Sequence, residues 1–145
     1  MISFPSTEYF EALKNQMNAA QEKFARLGFI DTTFGVSVGS NGKAHNYILE
    51  FEVYELKSVR EVPSIDLKQV DFLIEGDGKV WREMIENIKR NGAADTTHDI
   101  NTLTHFGEQL KIVYDDPDGH DKLYRFMESI QEFFDLSSAV EVSFG

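Results

Sequence analysis

The feature that most constrains the fold is a hairpin written into residues 33 to 56. Thr33 to Val38 is a β-rich run, Ser40-Asn41-Gly42-Lys43 carries the asparagine–glycine signal of a tight turn, and His45 to Leu56 reads as one long strand. Along that strand Tyr47, Leu49, Phe51 and Val53 point to one side, while Ile48, Glu50, Glu52 and Tyr54 point to the other. An antiparallel sheet with one apolar and one partly polar face must be covered on the apolar side only. The rest of the chain has to supply that cover.

Candidate covers are amphipathic helices. From Ser6 to Leu27 the apolar residues Phe10, Leu13, Met17, Phe24 and Leu27 recur at helical spacing, with Ser6 as N-cap and Gly28 as the stop. Asp77 caps a second helix carrying Val80, Trp81, Met84, Ile85 and Ile88, which ends at Asn91-Gly92. A polar stretch from Ala93 to Thr97 leads to a short helix predicted over Asp99 to Phe106. A last helix is predicted over Asp121 to Asp135, with Leu123, Phe126, Met127, Ile130, Phe133 and Phe134 apolar. Further strands are expected at Val59 to Val62, Val70 to Ile74 and Leu110 to Tyr114, and Asp115 to Gly119 reads as a turn. The tail from Ser137 is weakly β-like. Helices outside a small sheet, without strict alternation, indicate an α+β domain, and 145 residues suit a single one spanning 1–145.

Composition narrows the function classes. A net charge of −11 without a basic run argues against nucleic acid and against anionic membrane surfaces. No stretch is long and apolar enough for stable membrane insertion, and no signal peptide is visible. The absence of cysteine removes disulfides, thiolate metal sites and a cysteine nucleophile, and fits a reducing cytoplasmic setting. Twelve Phe, five Tyr and one Trp imply a large aromatic interior.

Motifs for catalysis are thin. Gly76-Asp77-Gly78-Lys79 lacks the spacing of a phosphate loop, and Asp115 to Asp121 lacks the ligand register of a calcium loop. His98 and His105 could share a helix face, but no third ligand stands nearby and zinc needs three or four. Among the carboxylates only Asp71 and Glu50 stand in an apolar setting. Asp71, alternating with Val70 and Phe72, is expected to face solvent or bond a neighbouring loop in preference to serving as a general base. No catalytic residue, metal site or cofactor is expected. Met beside aromatics on two helix stripes supplies adaptable apolar surface, as an ordinary core or as a pocket wall.

The run Val70-Asp71-Phe72-Leu73-Ile74-Glu75-Gly76-Asp77-Gly78-Lys79-Val80-Trp81-Arg82-Glu83-Met84-Ile85 resembles the middle of the sterol carrier protein type-two family. The Val-Asp strand, the Ile three residues after the Asp, the cap Asp77, the aromatic Trp81 and the paired Met84 and Ile85 fall at matching spacings. Phe106-Gly107 followed by Leu110-Lys111-Ile112 looks like that family's Gly-then-Leu-Lys-Ile strand, and the element order agrees over about Ala20 to Asp135. Departures fall on loops: Glu108-Gln109 adds a residue, Tyr114 stands where glycine is common, and Asn91 to Thr104 and Asp115 to His120 are longer.

The resemblance implies a five-stranded mixed sheet covered on one face by about four helices, with an apolar tunnel between the layers. It also implies non-catalytic binding and transfer of a sterol, fatty acid, acyl-CoA or similar lipid. The expected lining is Phe51 and Val53 from the sheet, Trp81, Met84, Ile85 and Ile88, then Leu103 and Phe106, and Phe126, Met127 and Ile130. Lys111, Tyr124 and Arg125 are candidates for a polar head at the mouth. The alternatives are a small enzyme or enzyme-accessory domain with an apolar substrate, and an interaction module with a dry core. Oligomeric state is open.

Overall fold

The computed structural model describes residues 1–107 and 109–144. Its elements in chain order are β1 (Ile2–Ser3), α1 (Thr7–Ala19), α2 (Gln21–Leu27), β2 (Thr32–Ser40), β3 (Lys43–Glu52), β4 (Glu55–Val62), β5 (Phe72–Asp77), α3 (Gly78–Asn91), α4 (Ile100–His105), β6 (Leu110–Val113), α5 (Pro117–Arg125), α6 (Met127–Asp135), a 3₁₀ turn (Leu136–Ala139) and β7 (Val142–Ser143). Glu108, of the pair Glu108-Gln109 that adds a residue before β6, lies outside the described residues.

Among the described residues, five strands form a mixed sheet in the order β4-β3-β2-β5-β6. The β2–β3 hairpin closes on Asn41 and Gly42, both with positive φ (52° and 77°), the geometry an Asn-Gly pair adopts at least cost. β5 lies parallel to β2, and β6 is antiparallel to β5. Phe34, Val36, Val38, Leu49, Phe51, Phe72 and Ile74 face the helices and join one core with Phe10, Leu13, Trp81, Ile130 and Phe133. The predicted α+β architecture, a five-stranded mixed sheet with helices on one face, is what the chain adopts.

Several boundaries differ, each for a physical reason. The long strand expected from His45 to Leu56 is two strands, because Val53 and Tyr54 turn the chain between β3 and β4. Val53 holds φ 61°, a conformation costly for a β-branched residue. Two hydrogen bonds over-determine it: its N–H donates to the Asp31 carboxylate at 2.8 Å, and its carbonyl accepts from the Ile30 N–H at 2.7 Å. The third strand is accordingly longer than Val59 to Val62.

The helix expected over Ser6 to Leu27 breaks at Ala20. Asn18 ties α1 to the edge strand by bonding the Leu56 N–H and carbonyl (3.3 and 3.4 Å), and the chain re-aims just beyond. Ser6 caps α1 as predicted, accepting from the Tyr9 N–H at 3.0 Å. The last helix also divides, at Phe126. Its first part, α5, starts at Pro117 behind the cap Asp116, so Pro117 to Gly119 of the predicted turn already belong to the helix. Gly119 is there because a Cβ would stand 2.5 Å from the Asp71 carbonyl oxygen. The weakly β-like tail pairs with the N-terminus, β7 lying parallel to β1.

Candidate functional site

The interior between sheet and helices is built from α3 outward. Asp77 caps that helix by accepting from the Lys79 N–H at 2.8 Å, which makes Gly76 to Lys79 a strand-to-helix junction. Trp81, Met84, Ile85 and Ile88 then line one face at helical spacing and are fully buried. The Trp81 indole donates from Nε1 to the Ser37 carbonyl of β2 at 3.2 Å, fixing the ring against the sheet. Its ring lies 5.7 Å from Phe134, and Phe133 meets Phe51 edge-on at 5.1 Å. Phe34 stacks between Phe51 and Phe72.

Of the eleven residues expected to line a ligand compartment, Phe51, Trp81, Met84, Ile85, Ile88, Leu103 and Ile130 meet in this core, with Phe126 and Met127 packed against its rim. Two do not. Val53 is 39% exposed because the β3–β4 turn carries it off the end of the sheet. Phe106 is 69% exposed because α4 ends at His105 and the chain leaves extended.

A groove of about 370 Å³ opens beside this core between α2, α4 and α6. Leu27 and Met127 supply its apolar surface, with Asp99, Asn101, Glu128, Gln131 and Glu132 around them. Gln131 holds the groove's wall together: its Oε1 accepts from the Ile100 N–H at 2.7 Å and its Nε2 donates to Asp135 at 2.9 Å. Lys23 of α2 pairs with Glu132 of α6 across the joint between these helices. In the sequence Leu27 reads only as the end of a helix stripe, and its place opposite Met127 depends on the break at Ala20.

A second depression, about 560 Å³, lies at the end of the sheet where β2 begins. It carries Asp31, Glu50, Glu52, Asp71, Asp115 and Asp116 against only Lys68 and Lys122, a field that disfavours anions. Asp71 is structural there, accepting from Thr32 Oγ1 at 2.7 Å and from the Thr33 N–H at 3.1 Å.

The candidate mouth residues do not line the groove. Lys111 points to the sheet face opposite the helices, beside Glu75 and Ser37. Arg125 pairs with Asp121 at 2.9 Å, and the Tyr124 hydroxyl bonds His105 Nε2 at 2.8 Å. His98 bonds the Asp95 carboxylate at 2.7 Å, so it and His105 serve separate local networks. Among the described residues no three His, Asp or Glu side chains group as metal ligands, and no helix is long and apolar enough to cross a membrane.

No protein-family model matches the sequence, and no curated relative matches it. Solved structures do match the fold. A conserved hypothetical protein of Thermus thermophilus, TT1886, a candidate sterol carrier protein, superposes with a TM-score of 0.70 at 14% identity, covering 95% of this chain and 90% of that one. A crystal structure of sterol carrier protein 2 gives 0.69 at 13% identity, over 94% of this chain and 98% of the other. A UbiJ-SCP2 ubiquinone synthesis protein gives 0.51 at 14% identity, over 92% and 88%. The chain has the sterol carrier protein fold along nearly its whole length.

Proposed function

We propose that this protein binds and carries a hydrophobic ligand, a sterol, fatty acid, acyl-CoA or similar lipid, without catalysing a reaction on it. The observation that carries the reading is the correspondence with sterol carrier protein 2, which spans 94% of this chain and 98% of that protein. The apolar interior and the groove at its rim supply the physical means. Burying hydrocarbon is worth about 0.8 kcal/mol per methylene, so ten methylenes contribute about 8 kcal/mol, enough to offset much of the cost of association. Selectivity for chain length is then weak.

The ligand enters in this account at the Leu27–Met127 groove, by separation of α2 from α6. Both helices join their neighbours at single-residue breaks, Ala20 and Phe126, where rotation costs no internal helix turn. Sterol and fatty chains then displace side chains of the Trp81–Phe133 region. A cytoplasmic workplace suits the cysteine-free chain. Service to a biosynthetic enzyme, as an accessory that presents an apolar substrate, is the second reading, favoured by the likeness to a ubiquinone synthesis protein.

Trp81, the single tryptophan, makes the test direct. Titration of delipidated protein with fatty acids, sterols and acyl-CoA esters is expected to shift or quench its emission saturably. A flat response across the panel contradicts the carrier reading.

A further inference from the structure

Among the described residues, the core holds one polar atom with nothing to bond. Tyr47 is fully buried, and its hydroxyl is the one buried side-chain nitrogen or oxygen there without a hydrogen-bond partner. The other large polar aromatics of the interior are satisfied: the Tyr9 hydroxyl meets Ser137 Oγ at 2.6 Å, and Trp81 donates to Ser37. An unmet buried hydroxyl costs stability, because its hydrogen bond to water is lost on burial and none replaces it. Phenylalanine would fill the same space without that cost, as it does at Phe34 and Phe51 on the same face of the sheet. No group among the described residues meets this hydroxyl, so it is free to take a partner from outside the chain.

Its surroundings limit what that partner is. The Tyr47 ring packs against Phe10 of α1 at 4.9 Å, so the wall is aromatic. Directly across the β3–β4 ladder stands Glu61, and His45 Nδ1 lies 4.0 Å from the Glu61 carboxylate, its one nearby imidazole. Burial, with Glu61 adding to it, raises the Tyr47 hydroxyl above its ordinary value of 10, so it stays neutral and able both to donate and to accept. A ligand carboxylate placed here would face a second carboxylate across the strand pair. A hydroxyl or a carbonyl oxygen meets no such penalty.

We propose that Tyr47 anchors the polar end of the carried ligand, and that this end is a neutral oxygen, an alcohol or ester carbonyl, in preference to a free carboxylate. The proposal rests on the carrier reading and adds a ligand class to it. Phe51, which touches Phe133 of α6, and Tyr47 lie four positions apart on the inward side of β3, about 13 Å at ~3.3 Å per residue. A hydrocarbon tail lying by Phe51 and Phe133 therefore reaches Tyr47 with a chain of about that length, lipid-sized but not long.

The test compares three twelve-carbon probes, dodecan-1-ol, dodecanoate and dodecane, on the unaltered protein and on Tyr47→Phe, which removes only the oxygen. Binding is read from Trp81 emission and from calorimetry. The unaltered protein is expected to bind the alcohol about three- to ten-fold more tightly than the alkane, the range of one neutral hydrogen bond, and more tightly than dodecanoate. Tyr47→Phe is expected to abolish the alcohol's advantage, leave the alkane unchanged and unfold at the same or a higher temperature. Unchanged ratios in Tyr47→Phe, or tightest binding of dodecanoate by the unaltered protein, overturn the proposal while leaving the carrier reading intact. Failure of the unaltered protein to bind any of the three overturns the proposal, and a flat response to sterols and acyl-CoA esters as well overturns the carrier reading with it.

Discussion

Phe51 of β3 and Phe133 of α6 cross at right angles with ring centroids 5.1 Å apart, and this contact joins the sheet to the last long helix of the chain. Both rings are buried, and Phe51 also stacks on Phe34 while Phe133 meets Phe134 edge-on. Deleting a ring at such a junction removes contacts from several elements at once. Phe133→Ala is expected to lose about 3–5 kcal/mol in urea unfolding, a large share of a domain's stability. A loss below ~1 kcal/mol would show that α6 is not held by this contact.

Met84 and Met127 are both Met on helix stripes, yet they should respond differently to truncation. Met84 is fully buried in the core beside Trp81, whereas Met127 is partly exposed at the groove. Met84→Ala is expected to cost about 2–5 kcal/mol. Met127→Ala should cost less than ~1 kcal/mol in the ligand-free protein, because one side of the residue already lacks packed neighbours. It should also shift preference toward bulkier ligands. Thermal unfolding of delipidated protein with ligand-size titrations checks both, and equal losses with unchanged preference would remove Met127 from the ligand's path.

Asp95 gives the fold an acid-sensitive fastening. Its carboxylate accepts from His98 Nδ1, Asn87 Nδ2 and both Thr97 donors, and these bonds, His98 first, hold it far below the 3.8 of an ordinary aspartate. A carboxylate with a depressed folded value contributes its stability above the unfolded value and loses it as pH falls beneath that value. Asp95→Asn is therefore expected to lower the urea midpoint at neutral pH, with the gap from the parent closing as pH drops below 3.8. A gap independent of pH would mean the carboxylate's charge contributes nothing.

Delivery to membranes should not run on charge. With a net charge of −11 and an acidic depression at the sheet's end, co-sedimentation with vesicles is expected to be weak and not to improve with anionic lipid. Binding that strengthens with phosphatidylserine content would show a local basic face overriding the average.

The sequence made the layers legible because they rest on short-range periodicity. Asn41-Gly42, the inward alternation of Tyr47, Leu49 and Phe51, and the stripe from Trp81 to Ile88 each depend on neighbours a few residues away. What escaped depends on tertiary context. Val53 continues a perfect alternation and leaves it only because Asp31 and Ile30 hold it at positive φ. Phe106 has the hydrophobicity of a lining residue but stands beyond the end of α4. The helix breaks at Ala20 and Phe126 carry no proline or glycine to announce them, and Gly119 reads as a turn residue although Asp71 requires a glycine inside a helix. Lys111 reads as a mouth residue, yet strand alternation next to Leu110 sends it to the other face.

Whether this interior accepts a hydrophobic ligand is read from what the protein carries out of a cell. Unaltered protein purified without detergent would be analysed by native mass spectrometry, and a parallel sample extracted with organic solvent for lipid mass spectrometry. A near-stoichiometric adduct is expected, which extraction identifies as an apolar molecule and which added competitor lipid displaces. Protein at its bare sequence mass, with nothing extracted and no adduct formed on incubation with sterols, fatty alcohols, fatty acids or acyl-CoA esters, would contradict it.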